Sequence, residues 1–356
     1  MRIPASSKPI PFGIFFLWAC VGFILLSMVI TSCGSQEGAR AALPGRVGAS
    51  GEIVIVCDFD TWNGPVGDTL QAIFGVSMPV LPQFEPLFDL IHLPTEEFDR
   101  FWKPHRNVVV IDLADRVDTQ EPSVKFYRNR FSSGQIFVEA KARSAQALAL
   151  ALDGRRAEMA SLFHAEEVSR FGDLVALDDN EVIARDLVER HGVQLVVPRD
   201  ARIVKETEEF IWMDRQLTRM KGGDNHDVQQ GFVIYFEPYV SDTLFSMSSR
   251  ISARNRFMRK YVPGPTDGSY MTSELRFFPS YEEVLHQGAF ASELRGLWKI
   301  ENNFMGGPYV SLTVHDADRG RLVTVEGYVY APYFDKREYI REVESVVRSL
   351  NLAPNS

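Results

Sequence analysis

Five consecutive apolar residues, Ile53-Val54-Ile55-Val56-Cys57, constrain this chain more than any other stretch. A strand with one wet face alternates apolar and polar residues, so an unbroken apolar run of strand length calls for cover on both faces. Asp58-Phe59-Asp60-Thr61-Trp62-Asn63-Gly64 turns the chain after it, and Pro65 suits the first position of a helix. Val66, Leu70, Ile73 and Phe74 share one face of that helix. Residues 87–93, bounded by Pro86 and Pro94, read as a second strand, residues 96–102 as a short helix and residues 107–113 as a third strand. The order β-α-β-α-β belongs to an α/β or α+β layer.

Further along, residues 135–140 suit another strand, and Ser144 caps one long helix carrying Leu148, Leu152, Met159 and Phe163. Residues 180–191 form the next predicted helix and 193–197 a strand. Strands at 201–205, 209–214 and 231–236 follow, with residues 221–227 as a polar loop. A helix over 241–260 ends before Pro263-Gly264-Pro265. Residues 309–315 and 321–330 alternate as half-buried strands, and Asp316-Ala317-Asp318-Arg319-Gly320 joins them as a hairpin. In the last helix Ile340, Val343, Val347 and Leu350 share a face, and Asp335 with Glu338 has the spacing of a capping pair. The pattern predicts an α+β fold in two mixed sheet-plus-helix halves, the second richer in antiparallel strands. The boundaries are an N-terminal α/β domain over 51–175 and a C-terminal α+β domain over 176–356.

The front of the chain predicts an address. Arg2 and Lys8 precede an apolar region, residues 12–30, that ends in Ile30-Thr31-Ser32-Cys33. A branched residue, two small ones and a cysteine resemble a bacterial lipobox. A stop-transfer helix would carry cations just beyond its end, yet the first cation there is Arg40. Residues 1–32 are therefore expected to leave as a signal peptide, with Cys33 lipidated (palmitate included) and residues 33–50 as a flexible tether. Gly34 rather than aspartate follows the cysteine, so the expected location is the cell envelope at the outer membrane, periplasmic or surface-facing. Of 356 residues, 324 then remain.

Loss of Arg2 and Lys8 from 38 basic residues leaves 36 against 47 acidic ones, a net charge of −11. An acidic chain without a basic run argues against nucleic acid and against electrostatic docking to anionic lipid, and leaves the lipid to do the membrane binding alone. Besides Cys20 and Cys33 the only thiol is Cys57, within the apolar run, where core packing explains it.

Chemistry is sparsely signalled. Asp58 and Asp60 at the end of the first strand resemble the aspartate pair of haloacid-dehalogenase phosphohydrolases, a metal-assisted chemistry. That family places a small residue and then Thr after the second aspartate, whereas Thr61 and Trp62 stand here. Acids supporting a helix N-terminus explain the pair more simply. None of the seven histidines has metal-ligand spacing, and no nucleophile elbow or phosphate loop occurs. The reading leans away from an enzyme: no catalytic residue, metal or cofactor is expected. Arg295-Gly296-Leu297-Trp298 and Gly306-Gly307 form the densest group of unusual residues. An arginine and a tryptophan could hold an anion or stack a ring, and paired glycines permit close approach. Trp62, Arg106 and Tyr270 join Arg295, Trp298, Gly306 and Gly307 as candidate ligand contacts.

Several ordered stretches, taken together, resemble an uncharacterised envelope lipoprotein family of Gram-negative bacteria, a domain of unknown function. They are Trp62-Asn63-Gly64-Pro65-Val66-Gly67-Asp68, Leu81-Pro82-Gln83-Phe84-Glu85-Pro86, Arg106-Asn107, Pro263-Gly264 with Gly268-Ser269-Tyr270-Met271, Arg295-Gly296-Leu297-Trp298, Phe304-Met305-Gly306-Gly307-Pro308, and Glu326-Gly327-Tyr328-Val329-Tyr330-Ala331-Pro332 with Lys336-Arg337. The resemblance implies an envelope lipoprotein with one architecture throughout and brings no activity. The expected role is non-enzymatic, in binding, assembly or scaffolding, with an envelope protein or a small ligand as partner.

Overall fold

The computed structural model describes residues 43–113 and 121–354. Cys33, the signal segment and most of the tether lie outside the described residues. From Pro44 onward the described residues form one compact α+β unit. Among them no helix is long and apolar enough to cross a membrane.

The apolar run becomes β1, Glu52–Val56, at the heart of a five-stranded sheet. β2 (Asp89–Leu93) and β3 (Asn107–Leu113) pair with it in parallel on its two sides. β4 (Ser123–Arg128) and β5 (Ile136–Ala142) extend the sheet beyond β3, β5 in parallel and β4 antiparallel at the edge. Ile53 and Ile55 face one side and Val54 and Val56 the other, all four fully buried. Helices cover the first side: α1 (Phe59–Trp62), α2 (Pro65–Phe74), α3 (Ala145–Asp153) and α4 (Arg156–Leu177). Phe74, Phe88 and Phe163 meet edge to face there, with ring centroids 5.1–6.1 Å apart, each burial contributing about 1.5–3 kcal/mol. The other side is covered by Phe98, Trp102 and Phe131 from loops.

The chain between the sheets runs through α5 (Glu181–His191) and a two-residue strand, β6 (Val193–Gln194), which pairs with β15 (Asn351–Leu352). The larger sheet is antiparallel throughout. It holds β7 (Arg202–Glu206), β8 (Phe210–Lys221), β9 (Asp224–Pro238), β10 (Met271–Ser273), β11 (Ser280–His286), β12 (Ala289–Ile300), β13 (Gly306–Asp316) and β14 (Arg321–Tyr330). Their order is β10-β12-β13-β14-β9-β8-β7, with β11 beside β12. α6 (Met247–Tyr261) packs on one face over Tyr235, Trp298, Tyr309 and Tyr328. α7 (Arg337–Arg348) packs on the other, where Gly327 makes room for it: a Cβ there would lie 2.1 Å from a Val343 methyl. Ile340, Val343 and Val347 of α7 belong to the same core as Phe74 and Phe163, so one apolar interior runs from the smaller sheet to the larger.

Several local expectations are corrected. The single helix after Ser144 is two, broken at Gly154-Arg155, and the short helix at 96–102 is only a 3-10 turn, Thr95–Glu97. The polar loop at 221–227 is a tight turn at Gly222-Gly223, whose positive φ angles let the strand resume at Asp224. β13 is buried along nearly its whole length, because α6 and α7 cover both faces of the sheet. Asp335 does not cap α7. Glu85, about 250 residues earlier, accepts instead from the backbone N–H groups of Lys336 (2.8 Å) and Arg337 (2.7 Å).

Candidate functional site

A dense group of charged side chains beside a cavity lies where α4, α7 and β12 meet. Strand alternation puts Glu293 and Arg295 on one face of β12, and Arg295 Nε donates to Glu293 Oε1 at 2.5 Å. One turn of α7 separates Glu344 from Arg348 and brings both to the same place. Arg295 grips both oxygens of Glu344, at 2.8 and 2.5 Å. Arg348 donates to Glu344 at 2.7 Å and to Glu293 at 2.8 Å. From α4, His164 Nε2 lies 3.0 Å from the second oxygen of Glu344. A carboxylate only accepts, so Nε2 donates to it, and Nδ1 is a buried ring nitrogen without a partner among the described residues.

Burial by itself would raise the Glu344 carboxyl. Arg295 and His164 more than reverse that and hold it well below the ordinary carboxylate range. Burial likewise opposes the Arg295 charge, and Glu344 with Glu293 overcomes it, leaving the guanidinium more basic than usual. Two acids and two arginines thus compensate one another, with every carboxylate oxygen occupied.

This cluster floors a cavity of about 730 Å³. Met78, Leu87, Val168, Val175, Val196 and Val346 make its apolar wall, and Ser161, Ser169, Ser280 and Ser345 add hydroxyls. Gly172 of α4 packs against Ser345 of α7 in the cavity lining, its missing Cβ 3.7 Å from the Ser345 Cβ. Arg295 was legible as a candidate. Its partners Glu293, His164, Glu344 and Arg348 were not singled out, although Glu344 stands within the apolar stripe of Ile340, Val343 and Val347. A carboxylate on a buried stripe requires a cation opposite.

The other expected contacts sit elsewhere. Trp298 is on the opposite face of β12, under α6, where Nε1 donates to Val329 O at 3.2 Å and the ring meets Tyr328. The sheet therefore separates Trp298 from Arg295. Tyr270 lies under the Arg259 guanidinium, 4.9 Å from its ring centre. Gly306 and Gly307 admit backbone: a Cβ on Gly307 would lie 2.0 Å from Val329 O. Trp62 stacks on His92 at 5.2 Å, and His92 bonds Cys57 O at 3.0 Å. Arg106 joins a second buried network, donating at 2.8 Å to Glu167, which also accepts from Asn107, Arg170 and Ser50.

Asp58 caps α1. One oxygen accepts from Thr61 N at 2.7 Å and the other from Thr61 Oγ at 2.8 Å. The backbone bond from Thr61 leads in holding this carboxyl below its ordinary value. Asp60 is exposed on the same turn, and among the described residues no group of three or more His, Cys, Asp or Glu side chains is placed to hold a metal. The hydrolase geometry is not assembled here. Burial, with Asp58 adding, pushes the Cys57 thiol up to about 12, which suits core packing.

Comparison with known proteins matches each half of the chain to a family without an assigned role. Residues 180–349 match the family model of one domain of unknown function (DUF4837), and residues 46–175 match that of another (DUF8532). No curated protein matches. Similar solved structures include a point mutant of the protein Mog1, at 10% identity over 46% of this chain and 91% of that one, with a TM-score of 0.30. Another is LpqN, involved in cell envelope biogenesis of Mycobacterium tuberculosis, at 14% identity over 46% and 83%, with a TM-score of 0.24. Superpositions this loose leave fold and role to be argued from the chain's own geometry.

Proposed function

We propose that this chain is an envelope lipoprotein, anchored through Cys33, that holds a small and largely apolar ligand in the cavity beside Glu344 without transforming it. The saturation of the cavity floor carries the ligand reading. A general base or acid must be free to exchange a proton with a substrate. Glu344 and Glu293 instead spend every oxygen on Arg295, Arg348 and His164. What remains open to a guest is the apolar wall, a rim of hydroxyls and the exposed carboxylates of Asp173 and Glu282, the make-up of a small-molecule site with a few polar groups. Ile30-Thr31-Ser32-Cys33 supports the anchor.

Both parts are open to direct tests. Protein purified from membranes is expected to release a bound apolar molecule on solvent extraction, identified by mass spectrometry. Gly172→Leu, which adds a bulky side chain at a position in the cavity lining, is expected to abolish it. Extracts identical for the two proteins sink the ligand reading. Labelled palmitate is expected on the full chain and to vanish from Cys33→Ser; label retained by that variant removes the anchor.

A further inference from the structure

The chain's cations are scattered in sequence, but the fold gathers a group of them at the start of its compact unit. Residues 44–49, 98–106 and 127–134 meet at the N-terminal edge of the smaller sheet. Val47 N donates to Pro104 O at 3.1 Å, Arg106 N to Val47 O at 3.0 Å, and Ser133 N to Pro44 O at 2.9 Å. Gln135 ties the loops together by donating to Lys103 O and His105 O at 2.6 and 2.7 Å. In these three segments Arg46, Arg100, Lys103, Arg106, Arg128 and Arg130 stand against a single acid, Asp99.

Arg106 and Arg128 are spent on Glu167 and Glu166. Three of the others lie over rings instead. Arg100 sits 4.9 Å from the centre of the Phe101 ring, Lys103 5.7 Å from Phe131, and Arg130 4.7 Å from Tyr127. Phe101 is 69% exposed, and Val47 is exposed in the neighbouring segment. Cations interleaved with exposed aromatic and aliphatic side chains are the make-up of an interfacial membrane patch. In a chain of net charge −9 this face has the opposite sign to the rest.

We infer that this face is a membrane-docking surface, laid on the anionic phospholipid bilayer that carries the Cys33 lipid. The inference rests on the anchor reading above in one respect. Ten residues stand between Cys33 and Pro44, a reach of at most about 40 Å. A lipid on Cys33 would therefore hold these cations close to headgroups, where a second, weak contact becomes intramolecular.

The test uses residues 44–356, which hold their own core and carry no lipid. They are expected to co-sediment with phosphatidylethanolamine–phosphatidylglycerol vesicles, weakly with phosphatidylcholine vesicles, and less as salt rises. Reversing Arg100, Lys103 and Arg130 to Glu is expected to lower partitioning by about a hundredfold or more. Phe101→Ser, an exposed change that spares the fold, is expected to lower it several-fold. Equal partitioning of the triple variant, equal binding to neutral vesicles, or no binding overturns the inference, as does self-association through this face in place of vesicle binding. The anchor is judged separately, by labelling of Cys33 in the full chain.

Discussion

Buried charges in this protein come in compensated sets, and each set makes a sharp prediction. Glu344 is fully buried and its folded-state carboxyl lies below the ordinary value, so it stabilises the fold above the unfolded value, about 4.3. That contribution is lost as pH falls toward the folded value. Glu344→Gln is expected to cost about 3–5 kcal/mol at neutral pH, because Arg295 is left buried without its main partner. The variant should also show a shallower loss of urea stability between about pH 5 and pH 3 than the parent; parallel pH profiles would refute the assignment. Under α6, Arg254 and Glu326 form a two-point pair at 2.7 and 2.8 Å, both side chains fully buried, with Arg254 3.8 Å from the centre of the Tyr309 ring. Arg254→Met or Glu326→Leu alone should cost about 3–5 kcal/mol, and the two together much less, since no charge is then left unpaired. Additive losses in a double-mutant cycle would contradict this. Legibility at this scale was one-sided. Arg295 could be picked out as unusual, and Glu344 sits visibly on an apolar stripe, but 49 residues separate them and no local rule joins them.

Caps and crossings decide how the elements meet. Glu85 supplies the N-terminal cap of α7, so Glu85→Ala should cost about 1–2 kcal/mol. Asp335, which has the spacing of a cap but accepts from the exposed Gln83 side chain, should tolerate Ala within about 0.5 kcal/mol. Equal losses in chemical denaturation would restore the local capping pair. Gly172 lies within α4 and an added Cβ meets only an ordinary 3.7 Å contact, so Gly172→Ala should raise stability by up to about 1 kcal/mol. The elements most legible in the sequence carry strong patterns of their own: the apolar run of β1, the Asn180-capped α5, the β13–β14 hairpin and the stripe of α7. β11, with Tyr281-Glu282-Glu283 exposed or half-buried at a sheet edge, has no clean alternation. β12 loses its own where Glu293 and Arg295 face the buried side, because tertiary pairing there overrides the binary pattern. β4, exposed or half-buried along its length, gives as weak a signal as β11.

Two family models divide the chain at about residue 175, yet the core does not divide there. α7, the last helix, rests on the larger sheet and also holds the first half. Its Arg341 donates to Leu87 O at 2.6 Å and lies 4.7 Å from the centre of the Phe88 ring. Glu85 caps it, and Ser50 reaches its Glu338. The buried face of α4 likewise serves both halves, with Phe163 against Phe74 and Phe88, and His164 on Glu344. Removing residues 180–356 would expose that face of α4 and the Leu87–Phe88 edge together, a loss comparable with the whole stability of a small domain. The described unit should therefore unfold in one transition, with fluorescence and far-ultraviolet circular dichroism midpoints coinciding. Residues 44–178 made alone should show dye-accessible apolar surface and no sharp thermal transition. A cooperative melt of that fragment would mean that the two family-matched segments are autonomous, joined only at an interface. The expected result instead makes the cavity a product of their union, since Val168 and Gly172 come from one segment and Arg295 and Ser345 from the other.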